Sequence, residues 1–467
     1  MLLCVLCTIL IVSIIGGNVL LNCVTRFNAA SSQVRGWKEA LYAAEAGGDI
    51  AYAEARKTAL DPTHAFTGWT YSGGVYSNSQ ITFGSDNLTT SGTADLFYYD
   101  SNGNPWYRIR VKGTAPVLGL KRVTMDDRMG VGTHGDSLLR KIDFNYDHFV
   151  ATYGPNGDGV GKTLLPVSRP QVTRRLELIA APITPFEAAI KATGTFYGLG
   201  DASMIDSYNS ANGTYYFAAN NPADPHYSDS RSGNVEIDSA VATIRGMLYG
   251  NVATNGGTIV RSDQITGTID NNVPFTVPPY KMPTDLPLPQ PLPTSITNTY
   301  TITPPAAGTP QAPTFYLLSS LTGKVIINPF GAAQTYVAIH VTSDITSEID
   351  VKAQVHLKVF FDGNMSVKAR DINNETGNAA NLQYYGISPT DPNTSQTIAI
   401  APPGNFAATI YAPSASFTLN GNPDITGAIV CKTFYGNGNT SWHYDRKLDT
   451  EGDAVDYRII SYVEDIR

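Results

Sequence analysis

Ile410-Tyr-Ala-Pro-Ser-Ala-Ser-Phe-Thr-Leu-Asn-Gly-Asn422 is followed by Ile429-Val-Cys-Lys-Thr-Phe-Tyr-Gly-Asn-Gly-Asn439. The two stretches repeat one pattern, an apolar strand closed by an Asn-Gly corner, at an offset of about 17 to 19 residues. Looser copies lie upstream at Gly194–Gly200, Ile244–Asn251 and Val359–Ser366. Self-similarity near 20 residues is the mark of a solenoid, in which each coil buries its inward face only against its neighbours. The copies carry strands and turns but no helical period. A parallel β-helix is therefore expected over residues 185–467, with a β-sandwich carrying irregular insertions as the alternative. Ile, Val, Phe and Ala should point inward. Asn and Gly should take the corners, where positive φ is needed. Eight prolines within 274–293 interrupt the repeat. Such a run is extended and semi-rigid. The same corner chemistry on both sides favours an excursion that re-enters the same stack over a linker between two domains.

Upstream, residues 62–184 read as a second β-rich unit. Tyr107-Arg108-Ile109-Arg110-Val111 alternates as a half-buried strand does. A turn cluster, Asp100 to Pro105, precedes it. Phe144–Tyr153 and Arg174–Ile183 read as further strands. Two near-motifs fail on their residues. Asn156-Gly-Asp-Gly-Val-Gly161-Lys162-Thr163 resembles a phosphate loop, but Asn156 stands where glycine is required and no helix follows. Asp100-x-Asn102-x-Asn104 starts like a calcium loop, but Pro105 and Val111 occupy the glycine and bidentate-glutamate positions. No cofactor is called for, though loops rich in Asp, Asn and Gly leave structural calcium open.

Met1 to Thr25, MLLCVLCTILIVSIIGGNVLLNCVT, holds no charge and is long enough to cross a bilayer. Gln33 to Ala59 is rich in Ala and Glu, and Trp37, Leu41 and Ala44 share a helical face. Asp61-Pro62 should end the helix. The expectation for residues 1–61 is one helix of about 55–60 residues, about 80–90 Å long. Cys4, Cys7 and Cys23 lie in its apolar part, and Cys431 stands alone, so no disulfide framework is readable. Arg26, Arg35 and Lys38 follow the span, which by the positive-inside rule would hold the large domain in the cytoplasm. A short basic leader once preceding Met1 would remove that conflict.

The uncharged run leading into Ala43-Ala44-Glu45-Ala46-Gly47 resembles type IV pilin-like proteins of the PilX pilus-assembly kind. The resemblance implies a structural subunit anchored in the inner membrane, then packed by its helix against other pilin-like subunits in an extracellular filament. The core positions would be Met1, Val5, Leu10, Ile14, Gly16, Gly17 and Leu20. The paired glycines would allow local melting or bending. Pilins usually carry glutamate at mature position 5. Val5 there, with the large size, points to a minor or tip subunit rather than a repetitive one. Residues 201–210, 232–257, 381–386 and 425–445 resemble a C-terminal domain attached to PilX-like proteins. The last of these ends in Trp442-His443-Tyr444-Asp445, where a buried Tyr–Asp–His network is expected near a C-terminal cap.

Composition narrows the function. Of 467 residues only 15% are charged, the net charge is −8, and 26 are tyrosine. A β-rich extracellular surface fits this balance, and nucleic acid does not, for want of a basic stripe. The tyrosines and Asn/Gly corners suit a glycan or another cell-surface ligand. The histidines show no metal spacing, and no Gly-x-Ser-x-Gly elbow occurs. Cys431 has no histidine beside it in sequence. Asp126-Asp127-Arg128 is the tightest acidic pair, and Asp206, Asp238, Asp344, Glu348, Asp350 and Asp362 are scattered. The reading is non-enzymatic; the alternative is a single-span surface enzyme acting on polysaccharide, or a tethered scaffold.

Overall fold

The computed structural model describes residues 2–60, 64–83, 88–100, 104–117, 171–260, 262–273, 275, 277–283, 286–391 and 394–465. Met1, the Asp61-Pro62 stop, part of the calcium-like loop (101–103), Asp126–Arg128, the Phe144–Tyr153 strand and the phosphate-like loop 156–163 lie outside them. The described chain is one long helix followed by a body that is mostly sheet.

The helix, α1, runs unbroken from Leu2 to Leu60. No proline interrupts it, and it is continuous through Gly16 and Gly17. From residue 36 onward one face is buried: Gly36, Ala40, Ala43, Ala44, Gly47, Gly48, Ala51 and Ala55, at spacings of three and four. Trp37, expected on this face, is 44% exposed. Distance explains the difference. A Cβ added to Gly113 in the facing sheet would lie 2.0 Å from the Ala40 carbonyl and 2.3 Å from the Ala44 nitrogen. One added to Gly47 would lie 2.1 Å from Thr90 Oγ1. Backbones this close admit only Gly and Ala.

The facing sheet is antiparallel. Its strands are β1 (Thr70–Ser72), β2 (Val75–Phe83), β3 (Leu88–Tyr99), β4 (Pro105–Pro116) and β5 (Gln171–Ile183), in that order. In β4, Tyr107, Ile109 and Val111 are buried against α1, while Arg108 and Arg110 face outward to Asp95 and Glu177. The sixth strand, Asp456–Asp465, pairs with β5. The sequence groups this segment with the repeats; the ladder places it here. Tyr457 is buried in the core between α1 and the sheet, and Arg56 grips Asp456 through two hydrogen bonds of 2.6 and 2.5 Å. Tyr52 Oη donates to the Tyr457 carbonyl at 2.6 Å. Asn104 fixes the approach to this strand, donating to the Gly452 carbonyl and accepting from the Ala454 nitrogen.

From Ile190 to Asp445 every ladder between named strands is parallel, unlike the hairpin pairing of an antiparallel sandwich. The two quoted repeats lie on each other, with Ile410 against Ile429 and Phe417 against Phe434. The offset slips from 19 to 17 residues between Ala412 and Ser416. Phe417, Phe434 and Phe196 form an inward stack with centroids 5.6 and 5.1 Å apart. Burial of each such ring stabilises by roughly 1.5–3 kcal/mol.

The asparagines behave differently from the expectation. Among the described residues, Gln354 is the only non-glycine with positive φ. The corner asparagines instead reach across coils: Asn234 Oδ1 accepts from the Asn251 nitrogen, and Asn251 Oδ1 from the Thr268 nitrogen, each at 2.9 Å. Asn405 does the same for Asp424, and Asn422 for Asn439, at 2.9 and 2.8 Å. Each rung satisfies a backbone donor that the bend removes from the ladder.

The stack is built by two runs of chain. Strand Met204–Tyr208 lies on Ser441–Asp445, and Ile190–Ala192 on Ile429–Cys431. On the other side, Val235–Ile237 covers Ile190–Ala192, Val252–Thr254 covers Val235–Ile237, and Ile269–Asp270 ends that run. The second run starts at Ser295–Ile296, at the opposite end, and returns through Thr314–Leu318, Thr335–Val341, Val355–Phe361 and Leu382–Gly386 to the quoted repeats. The proline-rich segment joins the two ends. Tyr280 within it is buried on Tyr385, with centroids 4.6 Å apart, and Tyr411 donates to the Pro278 carbonyl.

Candidate functional site

Two places stand out: the first half of α1 and the layer where the two runs of coils meet. Of the expected filament positions, Leu10, Ile14 and Leu20 are 61%, 62% and 66% exposed. Gly16 and Gly17 have nothing within 4 Å of where a Cβ would sit, and Val5 lies within the helix. This stretch is long and apolar enough to cross a bilayer, and its most apolar part is not buried within the chain. This is a candidate membrane span. The second group behaves otherwise. Ala43, Ala44 and Gly47 press on the sheet, and Glu45 accepts a 2.9 Å hydrogen bond from Tyr462 Oη beside the partly buried Ala46.

At the meeting layer, strand Ser441–Asp445 is covered on both sides, by Asp424–Thr426 and by Met204–Tyr208. It is therefore an interior layer rather than a cap. Trp442 is buried and its Nε1 donates to the Gly427 carbonyl at 2.9 Å. Tyr444 Oη donates to the Phe186 carbonyl at 2.5 Å and also contacts Asp449. Asp445 accepts from the Ser210 and Lys447 nitrogens, both at 3.0 Å.

His443 is the centre of the buried polar network, but its partners come from other coils. Nδ1 meets Asp206 Oδ1 at 2.6 Å and Nε2 meets Asp424 Oδ1 at 2.9 Å. Tyr215 Oη donates to the second Asp206 oxygen at 2.7 Å, and its ring lies 3.9 Å from the imidazole. Burial opposes charge on His443, but the hydrogen bonds it donates to both carboxylates outweigh that and raise the pKa to about 9. At neutral pH this is an imidazolium clamped between two acids. Both nitrogens are occupied, so neither is left to take a proton from a substrate. Cys431 is fully buried, which pushes its thiol pKa up and leaves it inert. Sequence reading anticipates a Tyr–Asp–His network here but not Asp206, Tyr215 or Asp424. Asp206 pairs in register with His443 across 237 residues, and no local signal joins them.

Residues 321–451 match the family model described as a domain of unknown function (DUF7305). The match covers less than a third of the chain. No curated protein matches. Among solved structures, the competence-associated pilin ComZ from Thermus thermophilus is similar at 10% identity, over 91% of this chain and 97% of that one, with a TM-score of 0.24. A score that low does not align the two folds.

Proposed function

We propose that the chain is a pilin-like structural subunit, a large minor or tip component of a type IV pilus-like filament. In this reading α1 is held in the inner membrane before assembly and in the filament core afterwards. Strands β1 to β5, with the last strand, form the head that seats on the helix. Residues 190–445 form a parallel β-helix displayed at the cell surface for adhesion.

One observation carries the reading. A single unbroken helix is clamped by its second half to an antiparallel sheet, while its first half, uncharged from Leu6 to Thr25, packs on no other described part of the chain. A fully buried Leu or Ile side chain gains roughly 1.5–3 kcal/mol over an exposed one. A face of this extent needs lipid or other helices. The parallel ladders and asparagine rungs support the β-helix assignment. The enzyme alternative draws nothing from His443, whose ring nitrogens are both engaged.

The test is incorporation. Leu10→Lys and Ile14→Asp should each abolish recovery of the protein in sheared filaments while leaving the folded body intact by circular dichroism. Normal incorporation of either variant would reject the reading.

A further inference from the structure

Between strands Met204–Tyr208 and Val235–Ile237 the chain leaves the coils and folds over the layer where the two runs meet. This excursion is firmly tied down. Ser207 Oγ donates to the Asp229 carbonyl and accepts from the Ser232 nitrogen. Ser230 Oγ accepts from the Ala218 nitrogen at 3.0 Å, and Arg231 donates to the Ala219 and Thr266 carbonyls. Within it lies a cavity of about 180 Å³, lined by Asn209, Asn212, Thr214, Tyr216, His226 and Asp229 among others.

We propose that this cavity binds one pyranose unit of a neutral glycan. Charge argues first. Asp229 is largely buried, and Arg446 donates to its Oδ1 at 2.8 Å, so its charge is already balanced. Asn212 donates to its Oδ2 at 2.8 Å. A carboxylate has about four acceptor positions, so lone pairs remain for sugar hydroxyls, while a cation finds no uncompensated charge. Donors and acceptors are mixed around it. Asn209 spends its Oδ1 on the Ala211 nitrogen, which leaves its NH2 as a donor. Asn212 spends an N–H on Asp229, which leaves its carbonyl as an acceptor. Thr214 offers a hydroxyl of either sense. Vicinal hydroxyls, each donor and acceptor at once, match that mixture.

An aromatic face completes the site. Tyr216 is 55% exposed; its hydroxyl donates to Asp224 at 3.3 Å, and His226 meets its ring edge-on with centroids 5.9 Å apart. The ring is oriented without being covered, as the C–H face of a sugar requires. Size agrees: a cavity of about 150 Å³ accommodates benzene, so this one takes a single six-membered ring with substituents rather than a chain.

The proposal rests on the display reading only for where the ligand comes from. It is tested on the full chain in detergent, by saturation-transfer NMR against neutral hexoses and N-acetylhexosamines. At least one should bind with a dissociation constant on the order of 1 mM. Tyr216→Ala and Asp229→Asn should each weaken it at least about tenfold, while Tyr435→Ala, on another face, should leave it unchanged. Absence of binding across the panel, binding confined to calcium or to acidic sugars, or equal binding by the Tyr216 and Asp229 variants would overturn the assignment. Filament incorporation of Asp229→Asn should be normal, so loss of sugar binding and failure of the filament reading are separately visible.

Discussion

His443 meets a carboxylate at each ring nitrogen, and that geometry sets a pH response. Its pKa in the folded chain, about 9, lies above the 6.5 of an unperturbed imidazole. The stabilisation is therefore complete below pH 6.5 and is lost as pH rises through about 9. At most it amounts to about 3 kcal/mol. His443→Gln should thus unfold at lower urea than the parent in mild acid, with the gap closing above pH 9. A gap independent of pH would refute the clamp. Gly113 makes a different kind of demand. Its Cβ position is filled by the α1 backbone at Ala40 and Ala44. Gly113→Ala should destabilise the helix–sheet unit by about 3 kcal/mol in urea titration, through overpacking that no rotamer can relieve. Neither effect is legible in the sequence. A glycine in a strand announces close approach only once its neighbour is known, and the acids that charge His443 sit 19 and 237 residues away from it.

Elements were more legible than their faces. Twenty-five uncharged residues leading into an Ala/Glu-rich segment without proline leave little besides a long helix, and α1 follows. Its buried side escaped because periodicity is read from large apolar residues such as Trp37, whereas backbone contact selects Gly36, Ala40, Ala44 and Gly47. The corner asparagines were visible as a repeat; their rung role depends on which donors the bend leaves unpaired. The proline-rich segment passes a test of length. Some twenty residues at about 3.1 Å each reach roughly 62 Å. About ten ladder steps of roughly 4.8 Å, or 48 Å, separate the ends it joins. Tyr280 anchors that path among Phe360, Tyr385 and Tyr411, and its hydroxyl donates to Asp453 at 2.9 Å. Tyr280→Ala should cost about 3–5 kcal/mol. Limited proteolysis should then cut within 274–293 before any coil; an unchanged digestion pattern would show that the tyrosine is no anchor.

For the whole molecule, the meeting of two runs makes distant sequence interdependent. Strands Ile190–Ala192 and Met204–Tyr208, made early in the chain, have no floor until Ile429–Cys431 and Ser441–Asp445 exist. Their other side carries the rest of the first run, out to Ile269–Asp270. Since each coil buries its inward face only against neighbours, stability passes layer to layer and a missing layer exposes those beside it. Ending the chain after residue 423 should therefore unprotect the amides of 190–208 and loosen 235–270, though none of those residues is deleted. Ending it after residue 455 removes only the strand that pairs with β5 and keeps Ser441–Asp445. That shorter cut should leave 190–208 protected while weakening the grip of the sheet on α1, where Arg56 and Tyr52 lose their partners. Hydrogen exchange on the two truncations separates the cases. Equal protection of 190–208 in both would mean that the first run folds alone and that the layer built on Asp206 and His443 joins two independent stacks rather than completing one.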